Sequence, residues 1–367
     1  MCKIIYSNTL ADISNYIPNN TFVIIDSNLK EYLKYFKNYK ILEINTSEHL
    51  KNLESIELII NFLLENNADR NSFILGVGGG ITTDMVGFAA SIYKRGVSFG
   101  FVPSTLLSQS DASIGGKNGV NFKNYKNIIG AIVLPQLIFS STEILKTLKP
   151  REFKAGIAEI IKTAILFSKD LYQQSISYFT ELENYRKENG TYLSNNGKFY
   201  KENTLSQIIN TCANLKCKIV EKDKFEKGER RLLNLGHSFA HAIEKELNSV
   251  DENSQIIMHG EAVAIGIIIA AQVAEKILEN SALATTSAQS RFSKKLINDF
   301  IQIGIPTNLS QLWQCQNINF NNIIAALAQD KKAQADKIHF ILPYQIEKVE
   351  DTLLEIKYLE EILYDLH

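Results

Sequence analysis

Nine residues constrain this chain more than any other stretch: Gly76-Val77-Gly78-Gly79-Gly80-Ile81-Thr82-Thr83-Asp84. An apolar run, Phe73 to Val77, leads into them, and a segment of helical spacing, Met85 to Tyr93, leads out. Strand, glycine-rich turn and helix, in that order, form a corner suited to phosphate. Glycine permits positive φ and close approach of the backbone to a ligand. The helix start aims free N–H groups and the positive end of its dipole at an anion. Ile81 stands where the six-position GxGxxG fingerprint would carry its third glycine. The corner therefore points to a nucleotide or a phosphorylated substrate without separating the two.

Around it the first hundred residues alternate. Phe22 to Asp26 reads as a buried strand ending in an acid, Leu29 to Phe36 is helix-like, and Ile41-Leu42 is a short apolar run. Leu50, Leu53, Ile56, Ile59, Ile60 and Leu63 repeat at helical spacing, and Val97 to Val102 is an apolar run stopped by Pro103. This alternation predicts a parallel sheet covered by helices, a Rossmann-like α/β domain over residues 1–150. Ligands of such sheets sit at the carboxyl ends of strands, where Asp26 and the Gly78 corner both fall.

Beyond Pro150 helical periodicity dominates, at Phe153 to Phe167, Leu205 to Val220, Leu232 to Leu247 and Ala262 to Leu278. Residues 151–367 thus read as a mostly helical second domain, with the site expected in the cleft between the two. Glu183 to Asn203 is polar and reads as an exposed loop or a helix hairpin; Ser249 to Gln255 reads as a second polar loop. Ile338 to Leu342 is a late strand candidate stopped at Pro343.

With 367 residues and a net charge of -1, the chain offers nucleic acid or an anionic membrane no global attraction, so anion binding must be local. No apolar run reaches the roughly eighteen residues of a membrane helix, and the first residues lack a signal-peptide pattern. Four cysteines form no CxxC and read as free thiols of a reducing cytosol, so a cytoplasmic protein is expected.

Of six histidines, three lie close in sequence: His237, His241 and His259. A four-residue spacing sets His237 and His241 on one helical face, the geometry of many zinc sites, with His259 opening the next apolar helix. The bland alternative is surface imidazoles. Glu159 lies inside an apolar helical run, where an unpaired charge is expensive, so it is either a metal ligand or a partner of Lys162 on the same face. The glycine-rich loop Ser110 to Asn121 carries Asp111 and Lys117, with Lys126 and Asn127 following. Lys162, Lys216 and Arg230 are spread through the helical half. Converging cations and a metal would suit a small substrate bearing phosphate and carboxylate.

Taken together, the segments GVGGGITTD, YKRG, VPSTLLSQSDASIGGKNGVN, KNIIGA, REFKAGIAEIIK, RLLNLGHSFAHAIE and HGEAVAIG resemble the 3-dehydroquinate synthase family, in its order, from Asp26 to about Lys332. The resemblance implies an NAD-binding domain, a helical domain with zinc or cobalt, and a homodimer. The reaction implied converts 3-deoxy-D-arabino-heptulosonate 7-phosphate to 3-dehydroquinate and phosphate, in the shikimate pathway to aromatic amino acids. This is a carbon–oxygen lyase in which NAD is oxidant and then reductant within one turnover.

Residue by residue, the resemblance makes Glu159, His237 and His259 the metal ligands and turns His241 to the substrate. It places Asp111, Lys117, Lys162, Lys216, Arg230 and Asn234 around the substrate, and Lys126 and Asn127 near nicotinamide and phosphate. Arg95 is expected to reach the partner subunit's phosphate site, and one of Lys331 and Lys332 to close over the substrate. Asp26, Asn28, Glu48, Lys51, Gly79, Gly80, Asp84, Ser104, Thr105 and Thr147 line the NAD, with Asp111, Lys117 and Lys126 also on that side. The rival readings are another sugar phosphate cyclase of the 2-deoxy-scyllo-inosose or valiolone type, a metal-dependent alcohol or glycerol dehydrogenase, and an inactive descendant serving as a binding subunit.

Overall fold

The structure, a computed structural model, describes residues 3–123, 125–247, 257–280, 291–309, 320–329 and 337–365. The expected loop at Ser249 to Gln255 and the choice between Lys331 and Lys332 lie outside the described residues. The chain divides into two compact units, Met1–Gly156 with Leu193–Glu226, and Ile157–Tyr192 with Lys227–His367. Compactness thus divides the chain differently from a single cut at Pro150. A return segment, carrying a helix at Glu202–Lys222, packs with the sheet unit because its apolar face (Ala213 among its residues) joins the sheet's core.

The first unit is built on β1 (Lys3–Ser7), β2 (Thr21–Asp26), β3 (Lys40–Ile44), β4 (Phe73–Gly78), β5 (Ser98–Pro103) and β8 (Leu137–Ser141). They form one parallel sheet in the order β1-β8-β5-β4-β2-β3. Alternate residues of each central strand enter different cores. Phe22, Ile24 and Ile74 join the helices α1 (Leu53–Glu65) and α2 (Gly80–Ile92). Val23, Ile25, Leu75 and Val77 join Leu10, Ile13, Leu29, Tyr32 and Ile144. Burial on both faces explains why these strands read as continuous apolar runs. That second face is covered by 3-10 segments, Leu10–Asn15, Ser27–Tyr35 and Glu143–Thr147, where the sequence predicted a helix at Leu29 to Phe36. Glu143 ties them together, its carboxylate accepting from Leu10 N at 2.7 Å and Tyr35 Oη at 2.6 Å.

The glycine-rich stretch Ser110 to Asn121, expected as a loop, is a π-helical turn at Ser108–Ala112 followed by β6 (Lys117–Phe122). β6 pairs antiparallel with β7 (Tyr125–Ile132). Periodicity missed this hairpin because β7 is exposed along most of its length, so no face of it needed to be apolar.

The second unit contains most of α3 (Pro150–Phe167), with α4 (Lys169–Asn189), and α5 is the Glu202–Lys222 helix of the first. It continues with α6 (His237–Leu247), α7 (His259–Asn280), α8 (Phe292–Gln302), α9 (Phe320–Gln329) and α10 (Ile356–Asp365). Glu183 to Asn203, read as an exposed loop or a helix hairpin, is part helix and part connecting segment. α4 runs to Asn189, ends at Gly190 in the left-handed conformation, and a Leu193–Phe199 bridge precedes α5. β9 (Lys337–Gln345) continues two residues past Pro343 and pairs with β10 (Lys348–Glu355). Helix α7 is buried on nearly every side from Gly260 to Ala274, which makes it the centre of its unit.

Candidate functional site

The carboxyl ends of β2 and β4 lie side by side, and Asp26 and Gly78 occupy them as predicted. None of Gly76, Gly78, Gly79 and Gly80 has positive φ. Their smallness is a demand of space: a Cβ on Gly78 would stand 2.2 Å from Thr82 Oγ1, and one on Gly79 3.0 Å from Thr105 Cγ2. Gly79 is the N-cap of α2 and supplies no side-chain cap, so the N–H groups of the first turn keep their reach toward a ligand. Ser104 N donates to the carbonyl of Gly78 at 2.9 Å, joining β5 to the corner. Thr105 Oγ1 accepts from Ser108 N at 3.0 Å, at the start of the turn that carries Asp111.

Asp84 faces Lys51. The Lys51 ammonium, 5% exposed as a residue, bonds Asp84 Oδ2 and Asn127 Oδ1, each at 2.5 Å. Burial raises the Asp84 carboxyl and Lys51 offsets only part of that rise. Asp26 is held by its own chain, Oδ1 accepting from Asn28 N at 2.9 Å and Oδ2 from Thr46 Oγ1 at 2.5 Å. Glu48 accepts from the Asn121 amide at 2.8 Å. Thr46 and Asn121 were not singled out in the sequence; nothing in a threonine or asparagine at those positions marks it before the strands are aligned.

Asp111 and Lys216 pair at 2.6 Å, and Lys216 also donates to the Asp111 carbonyl at 2.8 Å. Lys117 pairs with Glu226 while remaining mostly exposed. Lys126 and Thr147 are exposed, Thr147 closing the last 3-10 segment with its hydroxyl on the Ile144 carbonyl. Lys94 and Arg95 both hold left-handed backbone, with φ of 47° and 69°, before Gly96 at 110°. Two successive non-glycine residues of that hand store strain, and they present Arg95 to solvent at the end of α2.

In the second unit Gly236 is required for a different reason. Its φ is 77°, and a Cβ there would meet Val263 O and Ile267 N at 2.9 Å. A Cβ on the facing Gly266 would stand 2.2 Å from Gly236 O. This backbone approach brings the first turn of α6, with His237, onto α7, with His259. Glu159 of α3 completes the group: Oε1 lies 3.6 Å from His237 Nε2 and 3.5 Å from His259 Nε2. One donor atom from each of the three residues lies within 4.8 Å of the others. A tetrahedral ion with bonds of about 2.1 Å separates its ligand atoms by about 3.4 Å, so the spacing suits one divalent cation. At 3.5 and 3.6 Å the contacts lie at the long limit of hydrogen bonding.

Other features of the triad agree. Both Glu159 oxygens are buried without a well-directed hydrogen bond, although Lys162 stands 2.5 Å from Oε2. His237 Nδ1 donates to the Leu235 carbonyl at 3.1 Å and His259 Nδ1 to Glu244 Oε1 at 3.3 Å, leaving each Nε2 turned to Glu159. Burial and Lys162 push the His237 imidazole down to about 3, against the pull of Glu159, so it is neutral with a lone pair to give. Burial also pulls on His259, but Glu159 and Glu244 outweigh it and push it up to about 10. Burial would raise Glu159; Lys162 and the two histidines hold it well below the usual carboxylate range.

The His237/His241 pair that helical spacing suggested is not the cluster that forms. His241 stacks at 6.3 Å from the His259 ring and 5.8 Å from His237, beside the triad. The His259 ring, brought in from α7, lies nearer His237 (5.2 Å between centroids) than His241 does, and it is His259 whose Nε2 turns to Glu159. Arg230, buried, and Asn234 lie on the 3-10 segment Glu229–Asn234 that leads into α6. Glu244 went unnoticed in the sequence, yet it stands three and seven residues after His241 and His237 on one helix.

Comparison with known proteins covers both halves. Residues 41–155 match the family model described as 3-dehydroquinate synthase N-terminal, and residues 156–333 the one described as 3-dehydroquinate synthase C-terminal. A 3-dehydroquinate synthase of Campylobacter concisus is 36% identical over 86% of this chain and 84% of its own length. That of Prochlorococcus marinus is 36% identical over 95% and 90%. Among solved structures, the 2-epi-5-epi-valiolone synthase of Streptomyces hygroscopicus with NAD+ and Zn2+ bound superposes with a TM-score of 0.79 at 22% identity, covering 100% of this chain and 96% of its own. A 2-deoxy-scyllo-inosose synthase superposes with a TM-score of 0.75 at 24% identity, covering 99% and 96%. These two likenesses are of fold. With both halves matched in sequence as well, the chain belongs to the 3-dehydroquinate synthase family.

Proposed function

We propose that this chain converts 3-deoxy-D-arabino-heptulosonate 7-phosphate to 3-dehydroquinate and phosphate. The observation that carries the proposal is the Glu159–His237–His259 triad, built around a wholly buried carboxylate, in a chain whose two halves both match the family. We take zinc or cobalt for the triad and NAD for the Gly78 corner, with Glu48, Lys51, Asp84 and Asn127 around it. When bound, NAD supplies a hydride acceptor and donor, and the divalent ion polarises an alcohol oxygen and eases its deprotonation.

The residues themselves divide the remaining work. Glu159, His237 and His259 hold the ion, and Glu244 and the Leu235 carbonyl aim the two imidazoles. Lys162, Lys216, Arg230, Asn234 and His241 hold the hydroxyls, carboxylate and phosphate of the substrate, with Asp111 steering Lys216 through their 2.6 Å pair. Lys117, Lys126 and Asn127 serve the phosphate and nicotinamide side. Cations held by carboxylates of the chain stay charged and oriented before substrate arrives. Arg95, delivered outward by strained backbone, acts in a partner copy, which makes the working form a homodimer. Cys212 and Cys217, in no disulfide among the described residues, suit a reducing cytoplasm, and no helix of the described residues is long and apolar enough to cross a membrane.

The assay is phosphate release from the heptulosonate phosphate with zinc and catalytic NAD+. The expected result is many phosphates per NAD+ with no accumulating NADH. Phosphate appearing only with stoichiometric NADH, or not at all, defeats the proposal and turns attention to a dehydrogenase.

A further inference from the structure

Asn121 breaks the ladder it belongs to. The β6–β7 register shifts between Val120 and Phe122: Val120 faces Ile129 and Phe122 faces Tyr125, so Asn121 stands opposite three residues of β7, 126–128, where the bulge lies. Its freed N–H donates to the Lys51 carbonyl at 2.8 Å, outside the hairpin altogether. Its side chain then uses both ends. Nδ2 donates to Glu48 Oε1 at 2.8 Å and to the Glu48 carbonyl at 3.2 Å, while Oδ1 accepts from Asn127 N at 2.8 Å. Asn127 itself sits at φ 53°, a conformation that needs support, and its own amide oxygen receives the Lys51 ammonium that also reaches Asp84. One residue therefore bonds Glu48, Lys51 and Asn127 directly and Asp84 at one remove.

We propose that Asn121 is the positioning residue of the dinucleotide site, holding Glu48, Lys51 and Asn127 in the arrangement that receives NAD+. This rests on the reading that those residues seat NAD. A carboxamide supplies both the donor and the acceptor used here. An acid would lose the donor and set two carboxylates face to face, and an apolar residue would leave the Asn127 N–H and the Glu48 carboxylate without their partner. A purely structural Asn121 would brace the hairpin and change melting temperature; a positioning Asn121 changes affinity for the dinucleotide.

The experiment is calorimetric titration of NAD+ into the full-length, zinc-loaded protein and its N121A, N121D and N121D/E48Q variants, with melting temperatures taken alongside. N121A is expected to bind NAD+ about tenfold or more weakly, at unchanged zinc content. N121D is expected to be weaker still, and adding E48Q to it to regain affinity, because the new amide can donate to the new carboxylate. Wild-type affinity in N121A overturns the proposal, as does wild-type affinity in N121D. Should N121A not fold, N121D carries the test. Failure of the unmodified protein to bind NAD+ strikes the nucleotide reading itself, and the positioning role with it; that result is distinct from all the others.

Discussion

Lys162 stands three residues from Glu159 on α3, its Nζ 2.5 Å from Oε2, and both side chains are almost wholly buried. The two roles the sequence offered Glu159, metal ligand or salt-bridge partner, are both met because a carboxylate has two oxygens. Oε2 faces the ammonium, and Oε1 faces His237 and His259. The pair keeps Glu159 charged before any ion arrives.

Replacing that ammonium should expose the dependence. Removing one partner of a buried pair costs about 3–5 kcal/mol when nothing else compensates. K162M is therefore expected to melt well below the unmodified protein when zinc is chelated, and to recover much of the difference when zinc is restored. Melting curves with and without chelator decide this; equal losses on chelation in both proteins would show that Lys162 does not compensate Glu159.

Glu244 should matter to the ion without touching it. H259A is expected to strip the metal and the activity while leaving the fold, whereas E244Q keeps the ligands but loosens the aim of His259. Second-layer changes of this kind cost about 10–100-fold in metal affinity. Competition with a chromogenic chelator measures it, and E244Q zinc affinity equal to wild type would remove Glu244 from the site.

Zinc binding should release close to one proton at neutral pH. His259, pushed up to about 10 by Glu159 and Glu244 once burial is overcome, carries a proton that the ion must displace. His237, held down to about 3, and Glu159, held low, carry none. The sign follows: apparent affinity falls as pH falls, about tenfold per unit below 10. In the metal-free fold, the raised His259 contributes stability that is full below the ordinary imidazole range and lost as pH climbs toward 10. Calorimetry in buffers of different ionisation enthalpy counts the protons; none, or two, would contradict this assignment of charge.

Arg95 should act in trans. R95A and K162M are each expected to be nearly inactive alone, and a mixture refolded together should recover up to about a quarter of wild-type activity through mixed dimers. This figure assumes random pairing of equal amounts, half of the dimers mixed and one intact site in each. No recovery, in a mixture shown by mass spectrometry to contain mixed dimers, places Arg95 in its own subunit's site or in none.

The parallel sheet was legible because Phe22 to Ile25 and Phe73 to Val77 must be apolar on both faces, and that demand is local and continuous. α7 was legible from its long apolar run, whereas the polar end of α4 left loop and helix open. The β6–β7 hairpin was not, since β7 buries little and its order comes from pairing. The glycines of the Gly78 corner were read correctly as a signal and incorrectly in their reason: the constraint is the space left by Thr82 and Thr105, which no single-residue dihedral argument can supply.

By itself the sequence determined the kinds of groups available: a glycine-rich strand-to-helix corner, a charged carboxylate in an apolar helix, three histidines at two helix starts, and many cations. What only the tertiary structure decided is which of them meet. Helical spacing favours His237 with His241, one turn apart, but the Gly236–Gly266 backbone approach lays α6 on α7 and sets His259 nearer to Glu159 and His237. In the same way Asn121, set opposite a β7 bulge that is invisible until β6 pairs with β7, gathers Glu48, Lys51 and Asn127. Local patterns follow from each residue's own conformational and burial preferences. Coordination and hydrogen-bond networks depend on distances between segments far apart in the chain, and packing alone sets those.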